Sequence, residues 1–274
     1  MERVFHGRCF RYPLRAMDFK EKTEARFRLG VDLAERFLAQ KPAADLSLGA
    51  DATFEAIMLF FFCKSYKTYQ AIATLWCAGF YEDAWLITRT LFEIWMQAAY
   101  MREKPRDRAQ QFQKHAPIRM YRAYLALKKH GEHEPIAAFE NWADFAEIQS
   151  QYAHSGRTEQ QQNNWFGKSI SFLADELGPN FKKQYLVEYW WQSNLVHSAE
   201  TSMQPYVTDS LELNCRPGNT EPELDVKIAP RIATKYFISI TEEISEALSI
   251  DVRADIQLAK TGFQALDAVS MTTA

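Results

Sequence analysis

Residues 51–101 read DATFEAIMLFFFCKSYKTYQAIATLWCAGFYEDAWLITRTLFEIWMQAAYM, and this stretch decides the fold. Apolar side chains recur through Phe54, Ile57, Met58, Phe61, Phe62, Tyr66 and Tyr69, mostly at three- and four-residue steps. That is the period of a helix with one buried face. Asp51 stands where an N-cap belongs. Ala78-Gly79 interrupts the pattern only briefly, and a second helical run, from about Glu82 to Met101, stops at Lys104-Pro105. Two helices joined by so short a connection pack antiparallel.

The same period extends outward in both directions. It predicts helices at about 16–39, 105–129, 135–153, 169–177, 181–203, 230–249 and 251–268, each bounded by glycine, proline or polar residues. The stretch 157–164, RTEQQQNN, reads as a loop, and 204–229, which contains CRPGNTEPELD, as one irregular loop. Ten glycines and ten prolines in 274 residues leave few punctuation points. The expected architecture is all-α, a multi-helix bundle built on antiparallel hairpins within a single helical domain over 1–274. A basic arm (1–15) precedes a core at 55–205, and the C-terminal helices follow at 230–268.

Composition narrows the function classes. A net charge of −3 argues against a chain that is basic overall and coats nucleic acid, although Arg3, Arg8, Arg11 and Arg15 make the first residues locally basic. The four cysteines are scattered, which predicts neither a disulfide framework nor a zinc ribbon, and Cys63 and Cys77 read as small core residues. The most apolar run, AIMLFFFC at 56–63, is too short to span a bilayer. No long apolar run follows the N-terminal charges, so a cytoplasmic protein with no membrane partner is expected.

Three polar elements stand out. TRTLFEIW places Arg89 and Glu93 four residues apart among aromatic neighbours, where a structural ion pair and a functional site are equally open readings. NNWFGKS (163–169) offers Trp165 with Lys168 and Ser169 at a helix start, either a phosphate- or base-receiving surface or a tryptophan anchor beside a solvated lysine. YWWQSNLVHSAE (189–200) puts Ser193 and His197 on one helix face, where Ser193 positions and His197 is the group suited to proton transfer. A serine hydrolase is excluded because the serine has no strand-to-helix elbow to leave. His130, His133 and Glu134 in HGEHE read as an exposed turn rather than a metal site, and no phosphate loop or H-E-x-x-H motif is present. No metal or cofactor is expected.

In this order, the Arg-x-x-x-Glu helix, the Trp-x-x-Lys-Ser stretch followed by a Leu-Gly stop, and the Ser-x-x-x-His helix resemble an uncharacterised bacterial all-helical family of unknown function. The resemblance covers roughly 55–205. It makes Arg89, Glu93, Trp165, Lys168, Ser193 and His197 the shared polar signature. More distantly, the pattern is similar to HEPN-type helical ribonucleases of bacterial toxin and antiphage systems. That similarity implies metal-independent action on RNA or a nucleotide, homodimeric assembly, and a catalytic Arg89, Glu93 and His197 with Trp165, Lys168 and Ser193 holding substrate. The group's Arg-x4–6-His spacing is met literally by Arg108 and His115, where Ala109 replaces its usual polar follower. The competing reading is a non-enzymatic binding or sensor module whose Arg–Glu–Ser–His network fixes the bundle.

Overall fold

A computed structural model of the chain describes residues 19–40, 53–131, 139–141, 145–153, 164–190, 192–193 and 223–271. Among them the ordered elements are α-helices, with no strand: α1 (Phe19–Gln40), α2 (Thr53–Cys77), α3 (Tyr81–Glu103), α4 (Pro105–His130), α5 (Phe145–Ala153), α6 (Ile170–Glu176), α7 (Pro179–Gln184), α8 (Glu223–Ala247) and α9 (Arg253–Met271). A π-helical turn, Tyr185–Tyr189, continues α7 directly. The protein is therefore an all-α bundle, as the sequence period predicts. The N-terminal arm, Asp51 and most of the 204–229 loop lie outside the described residues.

The sequence expectation is one domain; the chain groups into two compact units, one from 1–102 with 183–274 and one from 103–182. In the first unit α8 packs on α1, α2 and α9, and α1 also packs on α2 and α9. Neighbouring residues of α8 serve different partners. Tyr236 meets Phe92 and Trp95 of α3, while Phe237 stacks on Tyr69 of α2 with ring centroids 4.8 Å apart. Both rings are fully buried, and each contributes about 2–3 kcal/mol of apolar burial. Tyr69 locks α1 to α8: its hydroxyl lies 3.1 Å from the Arg26 carbonyl and 2.9 Å from the Thr234 hydroxyl. That approach requires Gly30, where a Cβ would fall 2.5 Å from the Tyr69 ring.

In the second unit α4 packs on α5, and Tyr121, Tyr124 and Ile148 form a small core with Phe139 and Phe145. Gly131 closes α4 in a left-handed conformation, φ 75°, that its lack of a Cβ permits.

Three expectations are corrected. The helix foreseen over 135–153 is interrupted by a turn at Asn141, and α5 begins only at Phe145, because a short polar side chain favours a turn over helix interior. The loop foreseen to 229 gives way to α8 at Glu223, and the helix runs on through Pro230. Cys63 and Cys77 are exposed, because the apolar run of α2 is wider than the face it buries.

Candidate functional site

The first unit gathers a polar centre where α3 meets the π-helical turn. Arg89 Nε donates to Glu93 Oε1 at 3.0 Å, the i,i+4 pair of TRTLFEIW. Tyr189, last residue of the π turn, donates its hydroxyl to the same Oε1 at 2.8 Å. Its ring lies beneath the guanidinium, 4.6 Å from ring centroid to Cζ. Arg89 is thus held at one edge by a carboxylate and on one face by an aromatic ring. The side chains of Arg89 and Glu93 are 25% and 31% exposed, so the pair is open to solvent and not sealed beneath its aromatic neighbours.

Among the described residues, two groups here are left without a further charged partner. Glu93 is the carboxylate paired with Arg89 among the described residues, which leaves the terminal amine fork uncommitted to protein carboxylate. Both hydrogen bonds to Glu93 converge on Oε1, so Oε2 is left as an acceptor. Burial first, and then the adjacent Glu93 carboxylate, push the Tyr189 phenol above its usual range, so it remains a donor at neutral pH. Behind the centre, Gln192 is fully buried and its amide donates to the Thr88 hydroxyl, which in turn donates 2.6 Å to the Trp85 carbonyl. The amide oxygen of Gln192 has no partner among the described residues.

Glu188, the neighbour of Tyr189, points to a second cluster. It accepts from Tyr236 through Oε2 and from Lys235 Nζ at 3.3 Å, and Lys235 also donates 2.5 Å to Gln184. Burial lowers the Lys235 ammonium from its ordinary range against the opposing pull of Glu188, and burial followed by Glu188 raises the Tyr236 phenol well above its own. The wider π turn directs consecutive residues, Glu188 and Tyr189, to α8 and α3 respectively.

The sequence candidates fall as follows. Arg89 and Glu93 come together, joined by Tyr189. Ser193 is helical and half-buried on the continuation of the π turn, while His197 lies outside the described residues. Trp165 and Lys168 belong to the second unit. Trp165 is 5% exposed with its ring against Phe112 and Phe166, the arrangement of a loop anchor. Lys168 pairs with Glu176 and lies over Phe172, whose ring is the exposed one there. Ser169 caps α6, accepting from the Phe172 amide at 3.2 Å. Arg108 and His115 are both buried on α4, and Arg108 pairs with Glu103 at 2.8 Å. His130 is exposed at the end of α4; His133 and Glu134 lie outside the described residues.

Sequence reasoning missed Glu188, Lys235 and Tyr236. The signal available was Lys235 itself, the one charge in the apolar run 232–241, which requires a partner when half-buried. The π turn carried no signal, since its composition is that of an ordinary helix.

The family described as "Family of unknown function (DUF5677)" matches the chain over residues 55–212. No curated protein and no solved structure matches it.

Proposed function

We propose, from the premise that the chain belongs to the family of unknown function DUF5677, that it is an RNA-directed protein whose phosphate-holding group is Arg89. The observation that supports this is the pairing, in one solvent-open centre, of a guanidinium with Glu93 as its carboxylate partner among the described residues and a carboxylate oxygen, Glu93 Oε2, to which no described residue donates. A fork fits a phosphate, and an acceptor beside it fits the 2′-hydroxyl that distinguishes RNA from DNA. Arg89 stabilises charge on the phosphate, and Glu93 and Tyr189 orient Arg89. In the nuclease form of this reading His197 moves the proton, Ser193 positions, and the reaction needs no metal. A cytoplasmic location, a toxin or antiphage-defence role and homodimeric assembly belong to the same reading.

A second reading has its own support: Tyr189–Glu93 and Tyr236–Glu188 tie the π turn to α3 and α8, which is what a non-enzymatic binding module with a fixed polar network needs. One experiment separates the two. Wild type, Arg89→Ala and His197→Ala are expressed and scored for total-RNA integrity, and the purified proteins are titrated with a single-stranded RNA and the DNA of the same sequence. The nuclease form expects RNA loss with wild type that both variants abolish. RNA-preferring binding without cleavage, lost in Arg89→Ala, selects the binding module. The absence of both cleavage and RNA preference in wild type rejects the assignment of Arg89.

A further inference from the structure

Lys235, the one charge in the apolar run 232–241 of α8, keeps its side chain 33% exposed. Its amine meets two acceptors from the opposing segment. Gln184 Oε1, from the buried last residue of α7, lies at 2.5 Å, and Glu188 Oε1, from the π turn, at 3.3 Å. Tyr236 donates to the other oxygen of Glu188 and so takes up part of its charge. Two cations border the amine: Arg231, one turn earlier on α8 and paired with Asp267, and Lys183, exposed beside Gln184.

Two acceptors are what a neutral amine needs, and one fewer than an ammonium needs. A neutral amine donates its hydrogens to Gln184 and Glu188 and keeps its lone pair at the remaining tetrahedral position. An ammonium has a third N–H that meets no acceptor among the described residues. The Tyr236 ring, 5.6 Å away, is a weak substitute. Burial, with Arg231 and Lys183 adding to it, holds the ammonium below its ordinary range against the pull of Glu188. Hydrogen-bond supply and charge balance therefore favour the same form, the one with a lone pair to give.

We infer that Lys235 is a nucleophilic amine that takes small aldehydes or ketones as imines, with Glu188 as its proton relay. Nζ adds to the carbonyl carbon and one of its hydrogens moves to the oxygen, giving a carbinolamine. Glu188 then takes the second hydrogen and returns it to the departing hydroxyl. The C–O bond breaks, the C=N bond forms and water leaves, so the step needs no oxidant or reductant. Arg89 takes no part, and the inference is independent of the RNA reading.

The test uses the full-length wild-type chain. It is treated with propanal and cyanoborohydride, which traps imines as secondary amines, and each lysine is scored by peptide mass spectrometry. At about pH 7 Lys235 should be alkylated on the order of tenfold faster than Lys64 and Lys67, which are exposed on α2. The advantage should vanish in guanidinium chloride. It should also shrink toward about pH 10, where exposed amines lose their protons as well. Labelling of Lys235 no faster than Lys64 and Lys67 overturns the inference. An advantage constant with pH overturns it too, because that belongs to an aldehyde concentrated at the site and not to an activated amine. In Glu188→Gln, whose folding a melting curve checks, alkylation of Lys235 should fall severalfold relative to its acylation by N-acetoxysuccinimide, which has no dehydration step. An unchanged ratio overturns the role of Glu188 as relay.

Discussion

At the level of single residues, Tyr189 does two things that can be separated. Its hydroxyl bonds Glu93 and its ring supports Arg89. Tyr189→Phe removes the first and keeps the second; an expected loss of about 1 kcal/mol follows from one partly exposed hydrogen bond to a carboxylate. Tyr189→Leu should lose about 1 kcal/mol more, the contribution of a half-desolvated cation–ring contact. Arg89→Ala should cost about 1.5–2 kcal/mol, since it removes the ring contact together with a solvent-open ion pair of about 0.5–1 kcal/mol, and lower Tm by roughly 3 °C. Urea unfolding and thermal melts of the three variants check these values; a larger loss for Arg89→Ala than for Tyr189→Leu, both of which lack the stack, would show that the ion pair outweighs the Tyr189–Glu93 hydrogen bond. The sequence brought Arg89 and Glu93 into view because their spacing is local. It pointed to Tyr189 only as a neighbour, because the contact joins residues 96 positions apart.

At the level of elements, the hairpin of α2 and α3 and the limits of α1 and α4 were legible, since apolar period and the Lys-Pro and Gly stops are local chemistry. Three things were not: the turn at Asn141, the early start of α8 and the π turn. The π turn depends on which backbone conformation tertiary contacts reward, and Glu188 reaching Lys235 while Tyr189 reaches Glu93 is such a reward. Gly30 shows the same limit from the other side. A glycine inside a 22-residue helix reads as a weakness of about 1 kcal/mol relative to alanine. The structure makes it a requirement, because Tyr69 is fully buried against it and held by hydrogen bonds to the α1 backbone. Gly30→Ala should therefore destabilise by about 1–3 kcal/mol despite its better helix propensity. Equilibrium unfolding measures it, and a stabilised variant would mean that α1 slides freely over Tyr69.

For the molecule as a whole, the end of α3 is fastened to α8 by Arg102, which pairs with Glu243 at 3.0 Å and with Glu246. Burial raises the Glu243 carboxyl above its ordinary range; Arg102 opposes the shift, while Glu246 and Glu242 add to it. An acid whose pKa is higher folded than unfolded keeps its proton more tightly when folded. Its contribution to stability is full below the unfolded value, near 4.5, and is lost as pH rises through the folded one. Arg102→Met removes the opposing charge, so its deficit against wild type should grow as pH rises above the unfolded value, near 4.5. The deficit should reach about 1–2 kcal/mol, discounted because Arg102 is 39% exposed. Adding Glu243→Gln should flatten that dependence; a deficit constant with pH in Arg102→Met would assign the loss to packing alone. The π turn has an optical consequence as well. Trp76, Trp85, Trp95 and Trp165 are buried, whereas Trp190, next to Tyr189, is 49% exposed. Among these described tryptophans its indole should emit at longer wavelength and be quenched first by acrylamide.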